Sequence, residues 1–161
     1  MEINILIDEE LEWYLEVNWL ERVIRHTLVA QGTGPDVELG LVITGQEQIR
    51  QLNRRYRDKD EPTDVLAFTM LSAEETTDTE LTSFVVPPDG KKHLGEVIVS
   101  YPQAVTQAEE HQHSVKREVA VLITHGVLHL LGYDHDGPEL EQEMRAMEVE
   151  VLSHIAEELE L

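Results

Sequence analysis

Apolar and polar positions alternate at the start of the chain and then change period. Ile3, Ile5 and Ile7 repeat every second residue, which predicts a first strand with at least one buried face. From about 17 to 29 the spacing becomes helical. Val17, Leu20, Val23, Ile24 and Leu28 share one side, with Glu21, Arg22 and Arg25 opposite, and GTGP at 32–35 ends the helix. Val37, Leu39, Leu41 and Ile43 restore the strand period. Thr44 with Glu47 three residues later is a capping-box pattern opening a second helix, whose apolar stripe is Ile49, Leu52 and Tyr56. The polar loop RDKDEPTD at 57–64 contains Pro62, which forbids continued helix, and VLAF at 65–68 reads as a short buried strand.

The second half is mainly helical. Residues 72–92 are rich in Ser, Thr and acids with Pro87, Pro88 and Gly90, and are expected to form a mobile acidic loop, with Phe84, Val85 and Val86 available as an edge strand. LGEVIVS at 94–100 is another strand. Ser100, Pro102 and Gln103 mark a helix start, and Ser114 caps a further helix carrying Val115, Val119, Leu122, Ile123 and Leu130. Asp136 and Glu139 give one more capping pattern before a last helix with the stripe Leu140, Met144, Met147, Val151 and Ile155, which reads as core. The expected fold class is α+β: one small mixed sheet of about four strands covered by helices.

Length and composition narrow this picture. A chain of 161 residues supports a single domain over 1–161. Without cysteine there is no disulfide framework and no thiolate metal cage, so any metal must rest on histidine and carboxylate. The opening MEINILIDEE lacks the features of a signal peptide, and no apolar run approaches membrane-spanning length, so a soluble cytoplasmic protein with no membrane partner is expected. A net charge of −21 repels nucleic acid at long range. Its distribution is uneven, however. Arg50, Arg54, Arg55, Arg57 and Lys59 crowd into ten positions, and screening over about 8–10 Å lets such a patch act despite distant acids.

The chemistry concentrates in HGVLHLLGYDH, residues 125–135. His125 and His129 are four apart and lie on one face of a helix, where both can reach one ion. Gly132 suits a helix end, turning the chain so that His135 can reach the same ion. Three neutral imidazoles leave a fourth position for water, the layout of a catalytic zinc site. His26, His93, His111, His113 and His154 show no comparable spacing and are read as structural or surface residues.

The zinc-peptidase pattern HExxHxxGxxH matches all three histidines and the glycine. Gly126 stands where that pattern has glutamate, so the general base of peptide hydrolysis is missing. A metal that lowers the pKa of water to about 7 can instead serve attack on a phosphodiester, provided a cation stabilises the phosphoryl oxygens. Arginine suits that role through its planar two-hydrogen-bond fork, and the cluster ending at Arg57 supplies one. Asp134 and Asp136 either orient an imidazole or act as loop and cap residues.

LNRRYRDKDEPTDVLAF at 52–68, LGEVIVS at 94–100 and HGVLHLLGYDH at 125–135 together resemble the YbeY family of bacterial endoribonucleases, also called rRNA maturation factors. The resemblance implies an α+β fold with a zinc-peptidase-like central helix and one zinc ion held by His125, His129 and His135. It also implies cleavage of single-stranded RNA, with Arg57 as the catalytic arginine. Arg54, Arg55 and Lys59 of the same basic cluster are expected to bind the substrate. Implied partners are ribosomal RNA and the ribosome or its small-subunit assembly factors, with roles in maturation of the small-subunit rRNA 3′ end and in ribosome quality control. Two positions depart from the family's DVLSFP, namely Ala67 and Thr69. Attack by water and attack by the RNA 2′-hydroxyl both remain open. So do two other functions: a non-catalytic ribosome assembly factor with a structural zinc, and a zinc peptidase.

Overall fold

A computed structural model describes residues 1–11, 15–69, 92–132 and 138–159. The acidic stretch expected as a loop lies outside them except for Lys92, as do Phe84–Val86 and Asp136. The described chain runs β1 (Glu2–Ile7), a short 3-10 turn, α1 (Val17–Ala30), β2 (Val37–Thr44), α2 (Gln46–Arg57), β3 (Val65–Thr69), β4 (Lys92–Ser100), α3 (Tyr101–His111), α4 (Val115–Leu130) and α5 (Pro138–Leu159). Four strands form one mixed sheet in the order β1-β2-β4-β3. The β1–β2 and β2–β4 pairs are parallel, and β3 runs antiparallel to β4 at the edge.

Strand alternation sorts the sheet's two faces. Leu39, Leu41, Ile43, Val97 and Val99 face a large core shared with α1, α4 and α5, where Leu20, Ile24, Val119, Ile123, Val127 and Val151 are buried. The intervening positions Val42, Leu66, Phe68 and Ile98 face the other way and pack with Ile49 and Leu52 of α2. α2 thus covers one face while α4 crosses the other. Tyr56, expected in the α2 stripe, is instead exposed and meets Phe68 edge-on with ring centroids 5.2 Å apart.

The serine caps form as the sequence predicts. Ser100 accepts from the Gln103 amide and Ser114 from the Arg117 amide at 3.1 Å. The Thr44–Glu47 capping box does not. Thr44 belongs to β2, Gly45 takes the cap position without a side-chain bond, and the Thr44 hydroxyl donates to Gln48 Oε1 at 2.6 Å. Pairing up to the last residue of β2 extends the strand over the position that the box needs.

Between β2 and β4 the register shifts at Glu38/Leu39, so that His93 pairs with Glu38 and Gly95 with Leu39. Gly95 has φ +132°, and a Cβ there would run into the Phe68 carbonyl oxygen, so this bulge requires glycine. Beside it, His93 Nδ1 lies 3.1 Å from Glu38. A hydrogen bond with Glu2, reinforced by burial and the Glu2 charge, holds the Glu38 carboxyl above its ordinary value despite the opposing pull of His93.

Candidate active site

α4 is almost wholly buried along Leu122–Thr124 and Gly126–Leu130, and the two residues of that run left half-exposed are His125 and His129. Their rings face each other at 4.8 Å between centroids and 68° between planes. Gly132 adopts φ +103°, so the chain leaves α4 in a conformation that favours glycine. His135, Asp134 and Asp136 lie outside the described residues.

His125 is held from behind. Its Nδ1 makes a close hydrogen bond to Glu148 Oε1 of α5. An ionised carboxylate only accepts, so the proton sits on Nδ1 and the neutral ring presents Nε2 as a lone-pair donor. That is the usual arrangement behind a metal-ligating histidine, and it makes His125 fit to hold a metal ion. Glu148 was not singled out from sequence, because nothing in the α5 stripe reveals that one of its polar positions faces α4.

Arg57 reaches the same place from the opposite face of the sheet. It is the last residue of α2, where Asp58 takes the left-handed conformation (φ 57°) that ends the helix. The following loop wraps the β3 edge and is pinned along its length. Asn53 Nδ2 donates to the Glu61 carbonyl at 2.9 Å, Arg50 pairs with Asp60 at 2.9 Å, and the Ser100 amide donates to the Asp64 carbonyl at 2.9 Å. Asp64 Oδ1 accepts from the Val65 amide at 2.8 Å, while Gln107 donates to Oδ2 at 3.3 Å. The result is a cleft of about 320 Å³ lined by Arg57, Asp64 and Ala67 together with His125, Gly126 and His129. Ala67, one of the two departures from the family pattern, therefore stands in the cleft wall.

The other basic residues do not join them. Arg54 and Arg55 line a separate hollow with Glu47, Arg50 and Asp60 on the outer side of α2. Arg55 sits over the Tyr56 ring at 5.6 Å. Lys59 is exposed on the loop beyond α2.

Gly126 acquires a second meaning. An added Cβ would sit 2.5 Å from Val97 Cγ1 and 3.1 Å from its Cγ2. A side chain there starts into the sheet, and the missing glutamate is the condition for α4 to lie closely on β4.

One further set of metal-ligating side chains converges among the described residues. His111, His113 and Glu118 place one donor atom each within 4.8 Å of one another, forming a candidate metal site at the α3–α4 junction. The sequence signal was a histidine pair two apart with a glutamate five later. His111 and His113, which their spacing marks as structural or surface residues, are thus brought together on a buried carboxylate.

A family model described as Endoribonuclease YbeY matches residues 7–156. The chain is 48% identical over 160 residues to the Endoribonuclease YbeY of Dehalococcoides mccartyi (strain CBDB1), covering 99% of this chain and 96% of that one. It is 42% identical over 140 residues to that of Roseiflexus sp. (strain RS-1), covering 86% and 83%. A solution structure from Thermotoga maritima shares the fold with a TM-score of 0.63 at 22% identity, covering 98% of this chain and 91% of that one. The chain therefore belongs to the YbeY endoribonuclease family, and with it to the metal-dependent hydrolases.

Proposed function

We propose that the chain cleaves single-stranded RNA at the cleft between β3 and α4, acting as a single domain with one zinc ion held by His125, His129 and His135. The observation that carries the reading is that Arg57 lines the same cleft as His125 and His129 although 68 residues separate it from the first of them. A bound zinc ion supplies Lewis acidity towards water or a phosphoryl oxygen.

The chain's own residues supply the rest. Arg57 meets the non-bridging phosphate oxygens and offsets charge that grows as the bond to the leaving oxygen lengthens. Glu148 keeps the His125 proton on Nδ1. Asp64, anchored by Gln107 and the Val65 amide, forms the negative wall of the cleft and repels a phosphate that enters away from Arg57. Arg54 and Arg55 on the outer side of α2, with Lys59 on the loop beyond it, act as a positive approach surface in a chain whose net charge is −21. Substrates proposed on family grounds are ribosomal RNA, near the 3′ end of the small-subunit species, and RNA of defective ribosomes. The ribosome or its small-subunit assembly factors are the proposed partners and the cytoplasm the proposed compartment. No described helix is long and apolar enough to cross a membrane.

The experiment compares wild type with Arg57→Ala and His129→Ala on a labelled single-stranded RNA, with bound metal measured alongside. The reading expects metal retained and cleavage lost in Arg57→Ala, and both lost in His129→Ala. Equal cleavage by wild type and Arg57→Ala removes Arg57 from the mechanism. Product ends then separate the two routes, since a 2′,3′-cyclic phosphate marks attack by the RNA's own hydroxyl.

A further inference from the structure

The junction between α3 and α4 is built with unusual polarity for its depth. Glu118, on the first turn of α4, keeps only 2% of its side chain exposed, yet carries a carboxylate. Burial of such a group is strongly unfavourable unless positive charge or hydrogen bonds compensate. Both of its described partners are imidazoles, and both converge on one oxygen: His111 Nδ1 at 3.1 Å and His113 Nε2 in closer contact, each to Oε2.

Local backbone geometry produces this convergence. Gln112 takes the left-handed conformation (φ 58°, ψ 42°) that closes α3, and Ser114 caps α4 one residue after His113. The two histidine rings then stand 5.5 Å apart at 62°, both addressing Glu118.

We propose that His111, His113 and Glu118 bind a second divalent ion of the zinc, cobalt or nickel class, separate from the one assigned to the catalytic cleft. Two imidazole nitrogens with one carboxylate oxygen suit borderline ions and disfavour magnesium and calcium, which take oxygen shells. Bonds of about 2.0–2.1 Å in a tetrahedral shell imply ligand-to-ligand separations of roughly 3.3–3.5 Å. The 3.1 Å between His111 and Glu118 is already close to that, whereas His113 and Glu118, in direct contact, must part to admit the ion.

This site does not serve a two-metal reaction. Seven residues of α4 separate Glu118 from His125, about 10 Å along a helix, whereas paired catalytic ions lie about 3.5–4 Å apart. A cleft lined by His111, Glu118, Asp64, His125 and Arg145 joins the two positions. With the His111 side chain 56% exposed, the ion is reachable from solvent and exchangeable, and its effect is to tie the end of α3 to the start of the helix that carries the catalytic histidines.

The test counts metal on the full chain. Protein stripped with chelator is titrated with cobalt(II) and separately with zinc, reading cobalt absorption and bound metal after desalting. Wild type is expected to take up two equivalents. His111→Ala changes a half-exposed residue and, like Glu118→Gln, is expected to lose one equivalent while keeping its fold by circular dichroism. His129→Ala is expected to lose the other. A wild type that binds one equivalent, retained in His111→Ala, overturns the proposal and leaves the cluster a hydrogen-bonded network. If His129→Ala keeps the full wild-type stoichiometry while His111→Ala loses an ion, the junction site stands and the catalytic zinc assignment falls.

Discussion

Substitution of Gly126 by alanine sets two effects of known sign against each other. Replacing a mid-helix glycine by alanine gains about 1 kcal/mol in helix propensity, so on an exposed helix the variant would be more stable. Here the new methyl would lie 2.5, 3.1 and 3.3 Å from Cγ1, Cγ2 and Cβ of Val97. Carbon atoms pack at about 3.5–4.0 Å, so α4 and β4 must part by roughly 1 Å or Val97 must turn. Turning does not help, because both methyls and the branching carbon already face the glycine. Parting is resisted because Val97 is fully buried and its strand is paired with β2 on one side and β3 on the other. Overpacking of this kind costs about 1–3 kcal/mol, and the stiffness of the neighbour puts Gly126→Ala towards the upper end.

The expected net effect is a loss of about 1–2 kcal/mol, seen as a fall in Tm of about 2–8 °C for a domain of this length. Denaturation of wild type, Gly126→Ala, Val97→Ala and the double variant forms a cycle that isolates the contact. Val97→Ala alone opens a cavity and destabilises. In the double variant the new methyl fills part of that cavity, so the combined loss should be smaller than the sum by at least about 1 kcal/mol. A Gly126→Ala variant as stable as wild type, or a cycle without coupling, would show that close helix-to-sheet approach is not why glycine occupies this position.

Glu148→Ala should weaken metal binding at the proposed His125–His129 site about 10- to 100-fold, measured by competition with a chromogenic chelator, while Glu148→Gln, which still accepts from Nδ1, falls between it and wild type. Arg57→Ala should lower RNA cleavage by about 10²- to 10³-fold with metal content and Tm unchanged, as expected of an exposed residue that stabilises developing charge; a matching loss of metal would mean that it acts through the fold. Gly95→Ala should be the most damaging single change in the sheet, leaving little folded protein in the soluble fraction, because the Phe68 carbonyl occupies the space of its Cβ. For Glu38, a folded-state pKa above the unfolded value means that the native state binds the extra proton. Its contribution therefore strengthens as pH falls through that pKa and fades as pH rises; urea midpoints of wild type relative to Glu38→Gln should rise as pH falls from neutral towards the ordinary carboxylate value of 4.5, and a constant difference would refute the assignment.

Periodicity located the elements well, since most of the marked apolar positions are buried, with Val17 of α1 and Tyr56 of α2 as exposed exceptions. Ile3–Ile7 and Val37–Ile43 read as strands because one face is apolar at every second position, and both lie within paired strands. Local competition was harder to read. Thr44 looked like a cap, yet the pairing of Thr44 with Ser100 holds it in β2 and shifts the helix start to Gly45. The basic cluster looked like one surface, but a helix turns about 100° per residue, so Arg54 and Arg55 point away from the cleft that Arg57 lines. Glu148 was hidden for another reason: it matters through a histidine on a different helix, and no pattern within one segment encodes which faces meet; the Glu118 cluster is local in sequence, but its convergence depends on the left-handed turn at Gln112.

The meeting of Arg57 with His125 and His129 follows from the position of β3 rather than from any motif. α2 and α4 pack on opposite faces of the sheet, so residues on them face each other only around an edge. β3 is that edge, and it is short. An arginine at the last turn of α2 can pass around the start of β3, provided that the loop between them is held close. Asn53, Asp60 and Asp64 hold it through three separate bonds, none of which involves Arg57. The polar residues of RDKDEPTD thus act as the frame of the site, and the residues that bear its chemistry are free to differ in role from their neighbours. Weakening that frame should misplace Arg57 without touching it. Asn53→Ala leaves the Glu61 carbonyl without its described side-chain partner, and cleavage should fall while bound metal stays at the wild-type level. If activity were unchanged in a variant with a demonstrably loosened loop, the position of Arg57 would not depend on the edge geometry from which its role is argued.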